Sequence, residues 1–188
     1  MLYNYNSRAK GDVNKMLKVR LAVQDDLTKV MQIFVQAQSF LAQCKIPQWQ
    51  DNTPNKSVFL TDIKQSDLWL LVDDKQEILG IAALKKGPDP FYLHISEGKW
   101  LSDRPYYGIH RFALSDNARG RHLSRKFMGQ LLQIISKYGI DHVRIDTHPK
   151  NEGMQRVIRN AGFSYCGIVE VTQEQSDPVR KAYELTLH

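Results

Sequence analysis

From residue 17 onward the apolar positions switch period in a definite order. Leu17-Lys18-Val19-Arg20-Leu21 alternates apolar and basic residues, the period of two of a half-buried strand. Leu27, Val30, Phe34, Ala37 and Leu41 then recur at helical spacing, behind Asp25 and Asp26, which the pattern assigns as capping carboxylates. Lys45 to Asn55 carries Pro47, Trp49 and Pro54 and predicts a loop, followed by a shorter helix over Lys56 to Gln65. Two β-prone runs, Leu68 to Val72 and Ile78 to Leu84, flank the polar turn Asp73-Asp74-Lys75-Gln76. Lys85 to Pro105 is loop-rich, with a short strand expected at Phe91 to Ile95. Tyr106 to Leu114 predicts a strand. Arg121 to Tyr138 predicts a helix with Leu123, Phe127, Leu131, Leu132 and Ile135 on one face, closed by Gly139. His142 to Thr147 follows as a strand, and Asn151 to Ala161 as a helix stopped by Gly162. Ser164 to Val171 and Arg180 to Leu187 form a last strand pair. The order β-α-α-β-β-β-α-β-α-β-β is that of one mixed α/β domain over residues 17–188. Met1 to Met16 shows neither period and is expected to be a leader or disordered extension.

Composition narrows the function classes. Hydrophobic residues make up 42% of the 188 and charged residues 24%, the balance of a folded globular domain and not of a disordered chain. No apolar run approaches the ~20 residues that cross a bilayer, and no membrane partner is expected. Cys44 and Cys166 build no disulfide framework and no CxxC pair, so a cytoplasmic, reducing home is expected and no metal site. The net charge of +6 fits either an ordinary basic surface or an anionic ligand.

Where the charges fall separates the two. Asn117-Ala118-Arg119-Gly120-Arg121-His122-Leu123-Ser124-Arg125-Lys126 lies between a strand and the start of a long helix. Arg119, Arg121, Arg125 and Lys126 gather where the helix macrodipole is already positive, a costly arrangement unless an anion answers it. Free backbone N–H groups and a permissive Gly120 complete a phosphate cradle, although neither GxxxxGK[ST] nor GxGxxG occurs. The bland alternative is a solvated basic helix start.

Phe112-Ala113-Leu114-Ser115-Asp116-Asn117-Ala118-Arg119-Gly120-Arg121-His122-Leu123-Ser124 resembles the acetyl-CoA motif of the GNAT family of N-acetyltransferases. In that family a strand leads through [Gln/Arg]-x-x-Gly-x-[Gly/Ala] into a helix. Arg119 fits the opening position, while His122 stands where the family has Gly and Ser124 where it has Gly or Ala. Glu77-Ile78-Leu79-Gly80, Ile145-Asp146-Thr147 with Asn151, and Asn160-Ala161-Gly162-Phe163 are similar to further family segments. The resemblance implies a single domain with a mixed, mostly antiparallel sheet, splayed central strands and flanking helices. It implies acetyl-CoA held by the backbone of Phe112, Ala113 and Leu114 and by the turn Arg119, Gly120, Arg121, His122, Leu123 and Ser124, with Arg125 and Asn151 beside it. It implies direct attack of a primary amine, on a small molecule or peptide, at the thioester carbonyl.

The family often supplies a Tyr four residues before the helix-ending Gly to protonate the leaving thiolate; here that position is Ile158. Tyr165 is an off-pattern substitute. His110, Asp146 and His148 are candidate bases, against structural roles such as Asp146 bracing Asn151. The resemblance implies an acceptor site on the loop between the first two helices and the loop before the central strand, which here carry Trp49, Trp100 and Tyr107 with Gln48, Asp51 and Tyr106, and aromatics beside a carboxylate suit a cationic amine. Their alternative role is to cover the core edge. Two other readings remain at this stage: a basic nucleic-acid or ribosome-associated binding module, and a CoA-binding fold without transfer. A homodimer is a possibility that the family allows. No reading is assigned to Tyr92 and His94.

Overall fold

The computed structural model describes residues 17–51 and 53–187, so the expected leader at Met1 to Met16 lies outside the described residues. Among the described residues, seven strands form one sheet in the order β1-β2-β3-β4-β5-β7-β6. They are β1 (Lys18–Leu21), β2 (Leu68–Val72), β3 (Ile78–Lys86), β4 (Tyr106–Leu114), β5 (His142–Thr147), β6 (Ser164–Glu170) and β7 (Val179–Thr186). Of their pairings only β4–β5 is parallel. The sheet is therefore mixed and mostly antiparallel, as expected.

Two helices cover each face, and strand alternation divides the core between them. Leu68, Leu70, Val72, Ile81 and Ala83 turn toward α1 (Leu27–Gln43) and α2 (Lys56–Lys64), where they meet Val30, Ile33, Phe34 and Phe59. Leu71, Leu79, Ala82, Leu84, Val143 and Ile145 turn the other way, toward α3 (Leu123–Lys137) and α4 (Glu152–Asn160). There Phe127, Met128, Leu131, Ile135 and Ile158 fill the second core. Both sets of helical residues recur at the three-and-four spacing read from the sequence.

Helix ends show how the local chemistry was resolved. Asn55 caps α2 by accepting from the backbone N–H of Ser57 and Val58, and Asn151 caps α4 by accepting from that of Met154. Gly139 and Gly162, at φ of 72° and 93°, end α3 and α4 in the left-handed conformation that glycine adopts without penalty. Asp26 does not cap α1 through its side chain. Its carboxylate grips Arg20 of β1 at 2.7 and 2.8 Å and the Val23 N–H at 2.8 Å, fastening β1 to the helix entry.

The strand expected at Phe91 to Ile95 is absent. Pro90, and the Asp89 carboxylate accepting from the Phe91 N–H at 2.9 Å, wind Pro90–Tyr92 into a 3-10 turn. Only Ser96 reaches a strand, bridging to Ile168 of β6. The third helix begins at Leu123, two residues later than expected, because His122 sits left-handed at φ 56°.

Candidate active site

Strands β4 and β5 pair from Tyr106–His142 to Ile109–Ile145 and no further. Beyond that point His110 to Leu114 and Asp146 to Thr147 diverge. The cause lies on β4. Its register against β3 shifts between Ile81 and Ala83, so that Arg111 and Phe112 together oppose Ala82. Arg111 takes φ 54° within this bulge. A bulge bends its strand and raises its twist, which turns the end of β4 away from β5.

The divergence opens a cleft of about 700 Å³. Residues from α1 and α2 line it on one side of the sheet, and Met154 and Val157 of α4 line it on the other, so it passes through the sheet. Toward the end of β4 its walls are Phe112, Ala113 and Leu114, then Arg119, Ser124 and Asn151. Arg119 lies over the Phe40 ring at 4.3 Å and pairs with Asp116 at 2.8 Å. Gly120, at φ 72°, has open space where a side chain would project. The His122 side chain at the N-cap position makes no capping bond to the α3 N-terminus. The result is an exposed basic turn leading into helix N–H donors, which is anion-binding geometry.

Around the bulge the cleft is crowded with polar pairs. His110 Nε2 lies 3.1 Å from the Asp89 carboxylate. Asp89 is held in turn by its own N–H, which donates to the Tyr106 hydroxyl at 2.8 Å. Burial would raise the Asp89 carboxyl, but the hydrogen bond and charge of His110, the Phe91 N–H and Arg111 together hold it below its ordinary value. The Tyr92 ring stacks on the His110 imidazole at 5.7 Å, and its hydroxyl donates to Asp146 at 2.6 Å. Burial and the adjacent Asp146 charge drive the Tyr92 phenol far above its ordinary value, so it remains a proton donor in that bond. Glu174 is buried and pushed up by desolvation, although the Trp49 N–H at 2.6 Å and Arg180 at 2.6 Å oppose the shift.

Residues 33–163 match the family model for the Acetyltransferase (GNAT) family. The chain belongs to the GNAT family. Among solved structures, a GNAT acetyltransferase from Streptococcus agalactiae is 31% identical with a TM-score of 0.83, covering 93% of this chain and 99% of that one. A GNAT acetyltransferase from Listeria monocytogenes is 19% identical with a TM-score of 0.72, covering 93% of this chain and all of that one. A Salmonella typhimurium structure, 12% identical with a TM-score of 0.64, covers 92% of this chain and 94% of its own and is described with its cofactor acetyl-CoA. No curated protein matches the chain. The acyl donor of the family is acetyl-CoA, and the splayed β4, the open Gly120 turn and the uncapped α3 N-terminus fit it.

On this GNAT frame the structure gathers some of the sequence-expected residues and disperses others. His110, Asp146, Phe112, Ala113, Leu114, Arg119, Ser124, Asn151 and Trp49 all line the one cleft. Leu123 is buried in the core, and His122 and Arg125 are exposed at the start of α3. Arg121 reaches back to the Asn117 carbonyl at 3.4 Å. His148 is 2% exposed and both its ring nitrogens are engaged: Nδ1 accepts from the Lys150 N–H and Nε2 meets Asp177 at 3.1 Å. Tyr165 stacks edge-on against Tyr183, away from the cleft walls. Trp100 and Tyr106 sandwich the Arg144 guanidinium at 4.1 and 4.0 Å, and Tyr107 stacks on Tyr138. These aromatics brace structure and do not wall the cleft. Asp51 accepts from Ser176, tying two loops together, and Gln48 accepts from the Asn151 amide. Asp146 meets Tyr92 instead of bracing Asn151.

Sequence reasoning missed Asp89, Tyr92, Arg111, Glu174 and Arg180 as cleft residues. Asp89 sits between two prolines in a loop, which gave no sign of a carboxylate aimed at β4. Arg111 follows His110 directly, and in a regular strand the two would face opposite ways. Only the bulge puts both in one cleft.

Proposed function

We propose that this chain transfers an acetyl group from acetyl-CoA to the primary amine of a small molecule or peptide by direct attack. The observation that carries this reading is one continuous cleft joining the Arg119–Ser124 turn to His110 through the gap between β4 and β5. The backbone of Phe112 to Leu114 would hold the pantetheine arm, and the turn from Arg119 to Ser124 the phosphates. Acetyl-CoA supplies an acetyl group already activated as a thioester, which leaves placement of the amine and removal of its proton to the protein.

His110 takes that proton. The Asp89 carboxylate 3.1 Å from Nε2 favours a proton on that nitrogen, which leaves Nδ1 to act as base. Tyr92 holds the imidazole plane by stacking and orients the Asp146 carboxylate, whose charge attracts an ammonium acceptor. Trp49 adds an aromatic face to the same cleft. On α4 the cleft-lining residues are Gly153, Met154 and Val157, none with a side-chain proton donor, and Ile158 is buried in the core.

Acetyl-CoA binding tests the reading. Calorimetry is expected to show one saturable site and heating to show a rise in Tm, with Gly120→Val weakening the affinity by roughly 10-fold. A β-branched residue resists the left-handed conformation, at about 1–2 kcal/mol. No binding heat and no thermal shift in the native protein would refute it. A second variant probes the base without removing it. An added Cβ at Gly108 would lie 2.5 Å from His110 Nε2 and must displace the ring. Gly108→Ala is expected to lower kcat about 10- to 100-fold in a normally folded protein; an unchanged kcat would detach His110 from the chemistry.

A further inference from the structure

The cleft presents a second cation beside His110, Arg111, whose charge acts on Asp89 but which takes no proton itself. Arg111 lines the cleft beside His110, although consecutive residues of a regular strand project to opposite faces. It does so at φ 54°, a conformation that side chains other than glycine rarely adopt. Bending β4 alone would be served better by glycine, so the retained guanidinium calls for its own explanation.

Its surroundings are those of an anchored anion receptor. Asp62 of α2 is 1% exposed, and its Oδ2 meets Arg111 Nη2 at 2.6 Å. The other oxygen, Oδ1, holds Lys85 Nζ at 2.9 Å, and Asp67 holds the same Lys85 at 3.1 Å. Arg111 Nε and Nη2 are sealed from solvent on this inner side. Nη1 is not among the sealed atoms, and Arg111 as a residue lines the cleft. Arg180 behaves differently in the same cleft: its Nη1 donates to the Asp177 and Val179 carbonyls and its Nη2 meets Glu174. Arg180 is spent on the fold, while among the described residues Arg111 is held through Nη2 by Asp62 and has no bond at Nη1, which leaves that nitrogen for a ligand in the proposal that follows.

We infer that the acceptor is a free α-amino acid, its carboxylate bound by Arg111 and its amine presented to His110 and Asp146. The inference rests on the acetyltransferase reading and selects within it. An α-amino acid carries both groups on one carbon, matching two adjacent β4 residues with anion-binding and base roles. A peptide N-terminus carries no carboxylate beside its amine and leaves the guanidinium unanswered. Trp49, Phe91 and Val58 line the same cleft and give the amino-acid side chain an apolar wall.

The test is a set of matched acceptors with acetyl-CoA: L-leucine, L-phenylalanine and other L-amino acids, each beside its α-amide and its decarboxylated amine. The best amino acid is expected to exceed its own amide in kcat/KM by at least about 30-fold, because a site built for a charged group rejects the analogue that lacks it. Arg111→Gln is expected to bring that ratio within about 3-fold. Since this variant leaves Asp62 short of a partner, the double variant Asp62→Asn with Arg111→Gln is measured as well, with the same collapse expected. Calorimetric affinity for the N-acetylated product is expected to fall by a similar factor in both variants. Vigorous acetylation of amides and amines with a native ratio near one overturns the carboxylate inference and leaves acetyl transfer standing. A high native ratio that survives both substitutions overturns the assignment to Arg111. Transfer to none of these acceptors by protein that binds acetyl-CoA overturns this inference and leaves acetyl transfer to another amine standing, whereas absence of acetyl-CoA binding overturns the acetyltransferase reading itself.

Discussion

Replacing His110 by alanine is expected to lower kcat by about 10²- to 10⁴-fold, the range of a lost general base, while acetyl-CoA affinity changes by less than about 3-fold. The split follows from position. His110 sits at the bulge of β4 with Asp89 near Nε2, whereas the turn proposed for the phosphates lies beyond Leu114. Asp89→Asn should reproduce part of the loss, since an amide holds the ring less firmly and does not stabilise the imidazolium that forms. Asp89 is held below its ordinary value near 3.8, so its ionised contact with His110 is present above that pH. The stability it lends is lost as pH falls through the depressed folded value. Single-turnover rates and calorimetry on the same preparation check the pair. Equal losses in rate and cofactor affinity would mean that His110 shapes the cleft instead of taking a proton.

The largest expected stability effect lies at Phe127. This α3 residue is fully buried and its ring lies 5.1 Å from that of Phe112 on the splayed strand. Phe127→Ala removes a large apolar surface and leaves a cavity beneath β4, an expected cost of about 3–5 kcal/mol. At this chain length that is a fall in Tm of roughly 6–20 °C. Phe112 also loses the support that fixes its place in the cleft wall, so acetyl-CoA affinity should fall with stability. Thermal unfolding with and without acetyl-CoA checks both. A Tm within about 2 °C of native would show that the second core does not depend on this ring.

Much of the frame was legible because burial writes periodicity into sequence. Val30, Phe34 and Leu41 mark α1 by their spacing alone, as Phe127, Leu131 and Ile135 mark α3, and all six are buried. The basic turn from Arg119 was legible as a charge cluster at a helix start. What escaped were choices made between competing local bonds. Asp26 pairs with Arg20 and Val23 instead of capping α1 with its side chain, and Asp89 winds the segment after Pro90 into a turn where a short strand was expected. His148 looked like a base by type and place, yet Lys150 and Asp177 occupy its nitrogens. Trp100 was an acceptor candidate by its loop's place in the family resemblance and is an Arg144 platform by geometry. The acceptor end was least legible because one bulge decides which β4 side chains share a face, and no spacing rule marks where β4 bulges.

The most direct measurement is the amine-dependent release of free thiol from acetyl-CoA by the native protein, followed against a panel of primary amines. The expected result is saturable release that requires both protein and amine, with one N-acetylated product per thiol. Release no faster than in buffer for every amine, from protein shown to be folded, would contradict it.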